Sequence, residues 1–211
     1  MTHQCITSSS RIHRGVVWKN GDRVFTGSCS DAPSFLRSAY EHFNFGYARW
    51  YKMDSLCKLG WLAAELLLTG NETIRAAAPE STGIILANSN SSLDTDLKYA
   101  ASMKEMSSPA LFVYTLPNIV IGEIGIRHQI KGESAFFVAA DWDSEQMEKY
   151  ISGLFRSEVL TACICGWVDW LNDEYSALLF LVEKCATGSH LPFNAAVMDG
   201  LFKQSPNDAS K

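Results

Sequence analysis

Several things are scarce in this sequence. No apolar run reaches the roughly 18–20 residues that a membrane-spanning helix requires; the nearest, starting at Ala110, is interrupted by Pro117, Asn118 and Glu123. Charged residues make up only 19%, and a net charge of −5 gives no basic footprint for nucleic acid. Residues 1–13 carry no apolar core of the kind a secretory signal needs. The six cysteines form no CxxC pair and no regular framework, and no short-period repeat is visible. These absences predict a cytoplasmic chain with reduced, mostly buried thiols and no metal or cofactor.

What is present suits one globular domain over 1–211, with 47% hydrophobic residues to build its core. A first strand at 5–7 is only weakly marked. Strands over 15–18 and 23–26 flank Asn20-Gly21, a strong hairpin signal because type I′ turns need positive φ at both central positions. An aromatic-rich excursion over 31–47 completes the first fifty residues. A core helix then opens at Met53-Asp54-Ser55, keeps helical spacing through Leu56, Leu59, Leu62 and Leu66, and ends at Gly70-Asn71. The strand over 83–87 reads as parallel and covered on both faces. A polar loop over 88–92 follows, and Leu93 starts another helix with acids in its first turn.

The stretch from Ser108 to Asp141 organises the rest. Ser108-Pro109 breaks what precedes it. Pro117-Asn118 suits a first helical turn, isoleucines run on to Ile130, and Gly132 is expected to close the helix. An apolar strand over 135–140 is delivered onto a new helix over 143–156, the kind of junction where α/β folds place chemistry. A strand over 158–168 pairs antiparallel with one over 175–182 across the connection 169–174. The tail over 186–211 holds one amphipathic candidate, 193–202, and a polar end.

Ser108-Pro109, Thr115 with Asn118, Gly122 four residues on, and Gly132 before an apolar strand resemble the N-terminal half of β-ketoacyl synthases. The resemblance implies an α/β, thiolase-like half-fold: a mixed five-stranded sheet covered by helices, with an N-terminal β-hairpin. In that family the strand ends in Thr-Ala-Cys, the cysteine being the acylated nucleophile at a helix N-terminus. Counted without gaps from Asn118, that position here is Asp141, preceded by Ala139-Ala140. A carboxylate cannot carry an acyl chain as a thioester. The family's catalytic histidines lie in a C-terminal half for which this length is expected to leave no room.

The sequence is most similar to short β-ketoacyl synthase N-terminal-like proteins of aryl-polyene, flexirubin or dialkylresorcinol pigment clusters. That likeness implies a chain-length-factor-like protein, a homodimer or a heterodimer with a full-length ketosynthase, with acyl carrier protein as a further partner. It also implies an interface through Ala135, Phe136, Phe137 and Val138, and a tunnel lined by Asn90, Ser91, Thr115, Leu116 and Asn118.

Rival readings are tied to particular residues. Thr161-Ala162-Cys163 spells the missing nucleophile motif, so an acyltransferase or condensing enzyme using Cys163 is one alternative, and a structural scaffold is another. Apolar and β-branched neighbours make Cys163 a strand residue, whereas a reactive thiol wants a helix N-terminus or a cation. Cys163 and Cys165 share a face, but two thiols do not make a metal site. His128 and the other histidines have no motif around them. Asp141 and Asp143 read as helix-capping acids, and Arg49, Lys52, Lys58, Arg127 and Lys131 as cations that could meet an acidic carrier protein.

Overall fold

A computed structural model of the protein describes residues 2–186 and 190–203, without the side chains of residues 2, 73, 75 and 186. The chain opens as a meander of β1 (Thr2–His13), β2 (Val16–Lys19) and β3 (Asp22–Thr26). Its two turns are Arg14-Gly15 (φ 45° and 75°) and Asn20-Gly21 (φ 52° and 87°), each with the paired positive φ that two-residue hairpins need. Helices α1 (Ala32–Phe43), α2 (Ser55–Leu68) and the short α3 (Glu72–Ala76) lead to β4 (Thr82–Asn88). Then come α4 (Leu93–Ser102), α5 (Pro109–Phe112), α6 (Ile119–His128), β5 (Ser134–Val138) and α7 (Ser144–Arg156). The chain finishes with β6 (Ala162–Leu171), β7 (Glu174–Ala186), β8 (Leu191–Pro192) and α8 (Ala195–Lys203).

All strands join one open mixed sheet in the order β3-β2-β1-β7-β6-β4-β5, with β8 beside β1. The pairs β4–β5 and β4–β6 are parallel, and the others are antiparallel. The expected five strands are β5, β4, β6, β7 and β1; the sheet counts eight because the hairpin continues β1 and β8 adds to it. β1 runs for 12 residues where only 5–7 was legible. Its Ser and Thr residues hide the alternation, and the apolar strand β7 beside it supplies the order that local propensity does not.

Helices cover both faces. One core joins α1, α2 and α6 to Ile84, Leu86, Ile164 and Val168; the other joins α7 and α8 to Ile85, Cys163, Cys165 and Phe180. The period-2 alternation of β4 and β6 thus feeds two cores. Helix α2 starts where Asp54 Oδ1 accepts the backbone N–H of Cys57 at 2.8 Å. It is buried on nearly every side rather than along one stripe. The aromatic excursion roofs it, with Tyr40 stacked on Trp50 (4.2 Å, 10°) and Tyr47 on Trp61 (5.0 Å, 5°).

Four local expectations change. Gln129, at φ 57°, caps α6 instead of Gly132. Gly132 is there because a Cβ would run into the carbonyl oxygens of Thr82 and Glu80. β6 starts later than expected, and the connection to β7 shrinks to Asn172-Asp173, with Asn172 at φ 56°. The cysteines are not all reduced: Cys5 and Cys185 are joined as a disulfide with Cα atoms 6.2 Å apart, while Cys57, Cys163 and Cys165 are buried and free. Helix α8 realises the amphipathic candidate, and the polar end expected beyond it lies outside the described residues. No helix among the described residues is long and apolar enough to cross a membrane.

Candidate functional site

The parallel strands β4, β5 and β6 bring their C-terminal ends to one rim of the sheet. The loop after β4 is closed by Asn88, fully buried, whose carboxamide donates to Ser91 O (2.8 Å) and accepts from Ser91 N (2.9 Å). That grip places Ser91 at φ 50°. Asp169 of β6 holds the loop from the other side, accepting from Ser89 Oγ (2.9 Å), Asn90 Nδ2 (2.7 Å) and Asn90 N (3.1 Å). The loop after β5 is fastened to it by Ala139 N donating to Asn88 O at 2.9 Å.

Beside this rim, β5 is the edge of the sheet, and α6 leaves a groove along it. One cavity of about 660 Å³ is bounded by Val113, Pro117, Asn118, Ile121, Glu123 and Phe136. A second of about 530 Å³ shares Ile121, Gly122, Ile126 and Ser134 with it. Glu123 is a buried acid here, bound by Arg49 through Nη2 (2.9 Å) and Nε (3.2 Å). Burial, with Glu123 adding to it, pushes the Tyr114 hydroxyl up to about 12.

The expected site residues are brought together only in part. Asn118, Ala135 and Phe136 all border the groove. Asn90 and Ser91 belong to the Asp169-bound loop, while Thr115 donates back to Phe112 O and Leu116 is 59% exposed. Along β5 the side chains alternate: Phe136 joins the α6 side, Phe137 meets Tyr150 of α7 edge-on at 5.2 Å, and Val138 is 55% exposed.

Asp141 is exposed between β5 and α7 and does not cap the helix. Asp143 does, accepting the backbone N–H of Gln146 at 2.9 Å. Trp142, between the two acids, is stacked on Phe202 of α8 at 5.5 Å and 8°. Cys163 lies fully buried within β6, and burial drives its thiol pKa well up, so it has none of the surroundings of a nucleophile.

Three of the five cations considered for a carrier protein have internal partners instead. Arg49 binds Glu123; Arg127 binds Glu65 (Nε 2.6 Å) and lies 5.1 Å over the Tyr47 ring; Lys58 sits 5.2 Å over Trp50. His128 is half-buried, with Nε2 3.1 Å from the Glu65 carboxylate. Glu123 and Asp169 were not singled out from sequence. Glu123 announced itself only as a charge interrupting an apolar run, and the partners of Asp169 lie about eighty residues earlier, beyond any local pattern.

The architecture is thiolase-like, the fold of ketosynthases and chain length factors. The ishigamide ketosynthase/chain length factor superposes with a TM-score of 0.62 at 17% identity, over 90% of this chain and 64% of its own. A type II polyketide synthase acyl-carrier protein in complex with its ketosynthase bound to the hexaketide gives 0.62 at 15%, over 87% and 63%. A ketosynthase in complex with its chain length factor from Xenorhabdus doucetiae gives 0.55 at 12%, over 88% and 80%. This chain therefore spans a little under two thirds of the first two structures. No protein-family model and no curated protein sequence matches it.

Proposed function

We propose that this protein is a non-catalytic ketosynthase-like subunit, a chain-length-factor-like partner of an active 3-oxoacyl-acyl-carrier-protein synthase. Its setting would be fatty-acid or polyketide-type synthesis, of an aryl polyene or a related pigment. What supports the reading is the burial of Cys163, the thiol of the one matching tripeptide, together with an exposed carboxylate, Asp141, at the position after β5 to which the sequence resemblance assigns the nucleophile. The open backbone edge of β5 and the groove beside α6 are the surface assigned to the partner, either a full-length synthase or a second copy. Asn118, Ala135 and Phe136 would then shape the acyl space at that boundary. A carrier-protein contact follows from the same reading.

Val138 is the better probe of the edge than Phe137, because Phe137 packs on Tyr150 and its loss would disturb the fold. On co-expression with a full-length ketosynthase, the wild-type chain is expected to co-purify as a pair of defined mass by light scattering. Val138→Asp should weaken that pair at least tenfold, since a charge would be desolvated against an apolar partner. A wild-type chain that stays single at micromolar concentration, with or without the synthase, sinks the proposal. Intact-mass measurement after incubation with an acyl carrier protein loaded with an acyl chain is expected to show no adduct; an acyl group retained on Cys163 would establish the catalytic alternative.

A further inference from the structure

We propose that the Cys5–Cys185 bridge is a thiol-exchange site. A small thiol attacks Cys185, Cys5 leaves as a thiolate beside His3, and the bridge opens and closes without the chain unfolding.

Antiparallel pairing of β1 with β7 sets His3 opposite Cys185 and Cys5 opposite Glu183. Residues two apart on a strand share a face, so His3, Cys5, Glu183 and Cys185 make one patch where β1 begins and β7 ends. Exchange depends on which sulfur can be reached and on how well the other one leaves. Cys5 is fully buried and Cys185 only half-buried, so an incoming thiol meets Cys185. The leaving sulfur, Cys5 Sγ, has His3 Nε2 at 3.7 Å, an imidazole able to pass a proton to it. Glu183, the acid of the patch, is taken up by Thr7, whose hydroxyl donates to Oε2. In the first step a bond forms between the incoming sulfur and Cys185 Sγ, and the Cys185–Cys5 bond breaks. Its electron pair stays on Cys5, which takes a proton through His3. A second thiol then attacks the first sulfur, releasing Cys185 as a thiol and a small-molecule disulfide. The protein gains two electrons and two protons, and the two small thiols supply them. Other bonds hold this corner when the bridge is open. Gln4 accepts from Phe193 N through its carbonyl (3.1 Å) and from Ser152 Oγ through Oε1 (2.7 Å), and β8 pairs with Cys5 and Ile6.

The test applies reduced glutathione to the full oxidised chain in a Cys29→Ser background, since Cys29 is the exposed free thiol among the described residues. Intact mass and peptide mapping are expected to show a mixed disulfide on Cys185 and none on Cys5. His3→Ala should slow reduction of the native chain roughly three- to tenfold, with no change of rate in unfolding urea. A merely structural His3 predicts the reverse, faster reduction of a loosened corner. On reduction, amide hydrogen exchange should quicken at residues 3–6 and 191–193 and stay as it was along β5. Circular dichroism confirms that each variant is folded. An adduct on Cys5, reduction only as the chain unfolds, a His3→Ala rate equal to or above the wild type, or thiols at 5 and 185 that stay unbridged in excess oxidised glutathione overturns the proposal.

Discussion

At the scale of single residues, close approach and buried charge decide more than propensity does. Gly132 has no special φ, yet the backbone of residues 80–82 fills the space where its Cβ would be. Gly132→Ala should destabilise by about 1–3 kcal/mol, as overpacking does, read from urea unfolding with an unchanged slope. The sequence pointed to this glycine and not to its reason, because the neighbour that demands it is some fifty residues earlier. Glu65 is a second case. Burial pushes its carboxyl up, but His128 and Arg127 more than offset this and hold it below the usual range. A lowered folded-state pKa means stability that is present in full above about 4.5 and is lost as pH falls through the folded value. Glu65→Gln should thus cost roughly 1–3 kcal/mol at pH 7, between the values for exposed and buried pairs, and the gap to wild type should narrow as the pH falls below 4.5. A gap that stays constant from pH 7 to pH 3 in denaturant titrations would contradict the assignment.

Among the elements, the most legible were those whose signal is local: the Asn20-Gly21 turn, the start of α2 at Asp54-Ser55, and the strand of β4 with its apolar run. β1 escaped because its order comes from β7, and the disulfide escaped because Cys5 and Cys185 are separated by 180 residues. That bridge ties the first strand to the end of the seventh, so its removal should be felt by both. Replacing Cys5 and Cys185 by alanine is expected to lower stability by about 2–4 kcal/mol, the usual effect of a cross-link closing a long loop. Of the candidate site, Asn118, Ala135 and Phe136 of the groove wall were reached only through the family likeness, and Asp169 was not reached at all. Asp169 meets the loop after β4 from a strand about eighty residues later, and no spacing in the sequence encodes such a meeting.

For the molecule as a whole, the two borders of the sheet are unlike. One is β3, short and carrying Asp22 and Arg23 in the open; the other is β5, apolar, beside a groove and ending in the exposed Val138. Charge on a short border is a known guard against unwanted strand addition. If β5 is the rim that takes the proposed partner, growth by strand addition stops as soon as two such rims have met. On the proposed pairing the protein would make couples and not fibres, whichever chain it is coupled to.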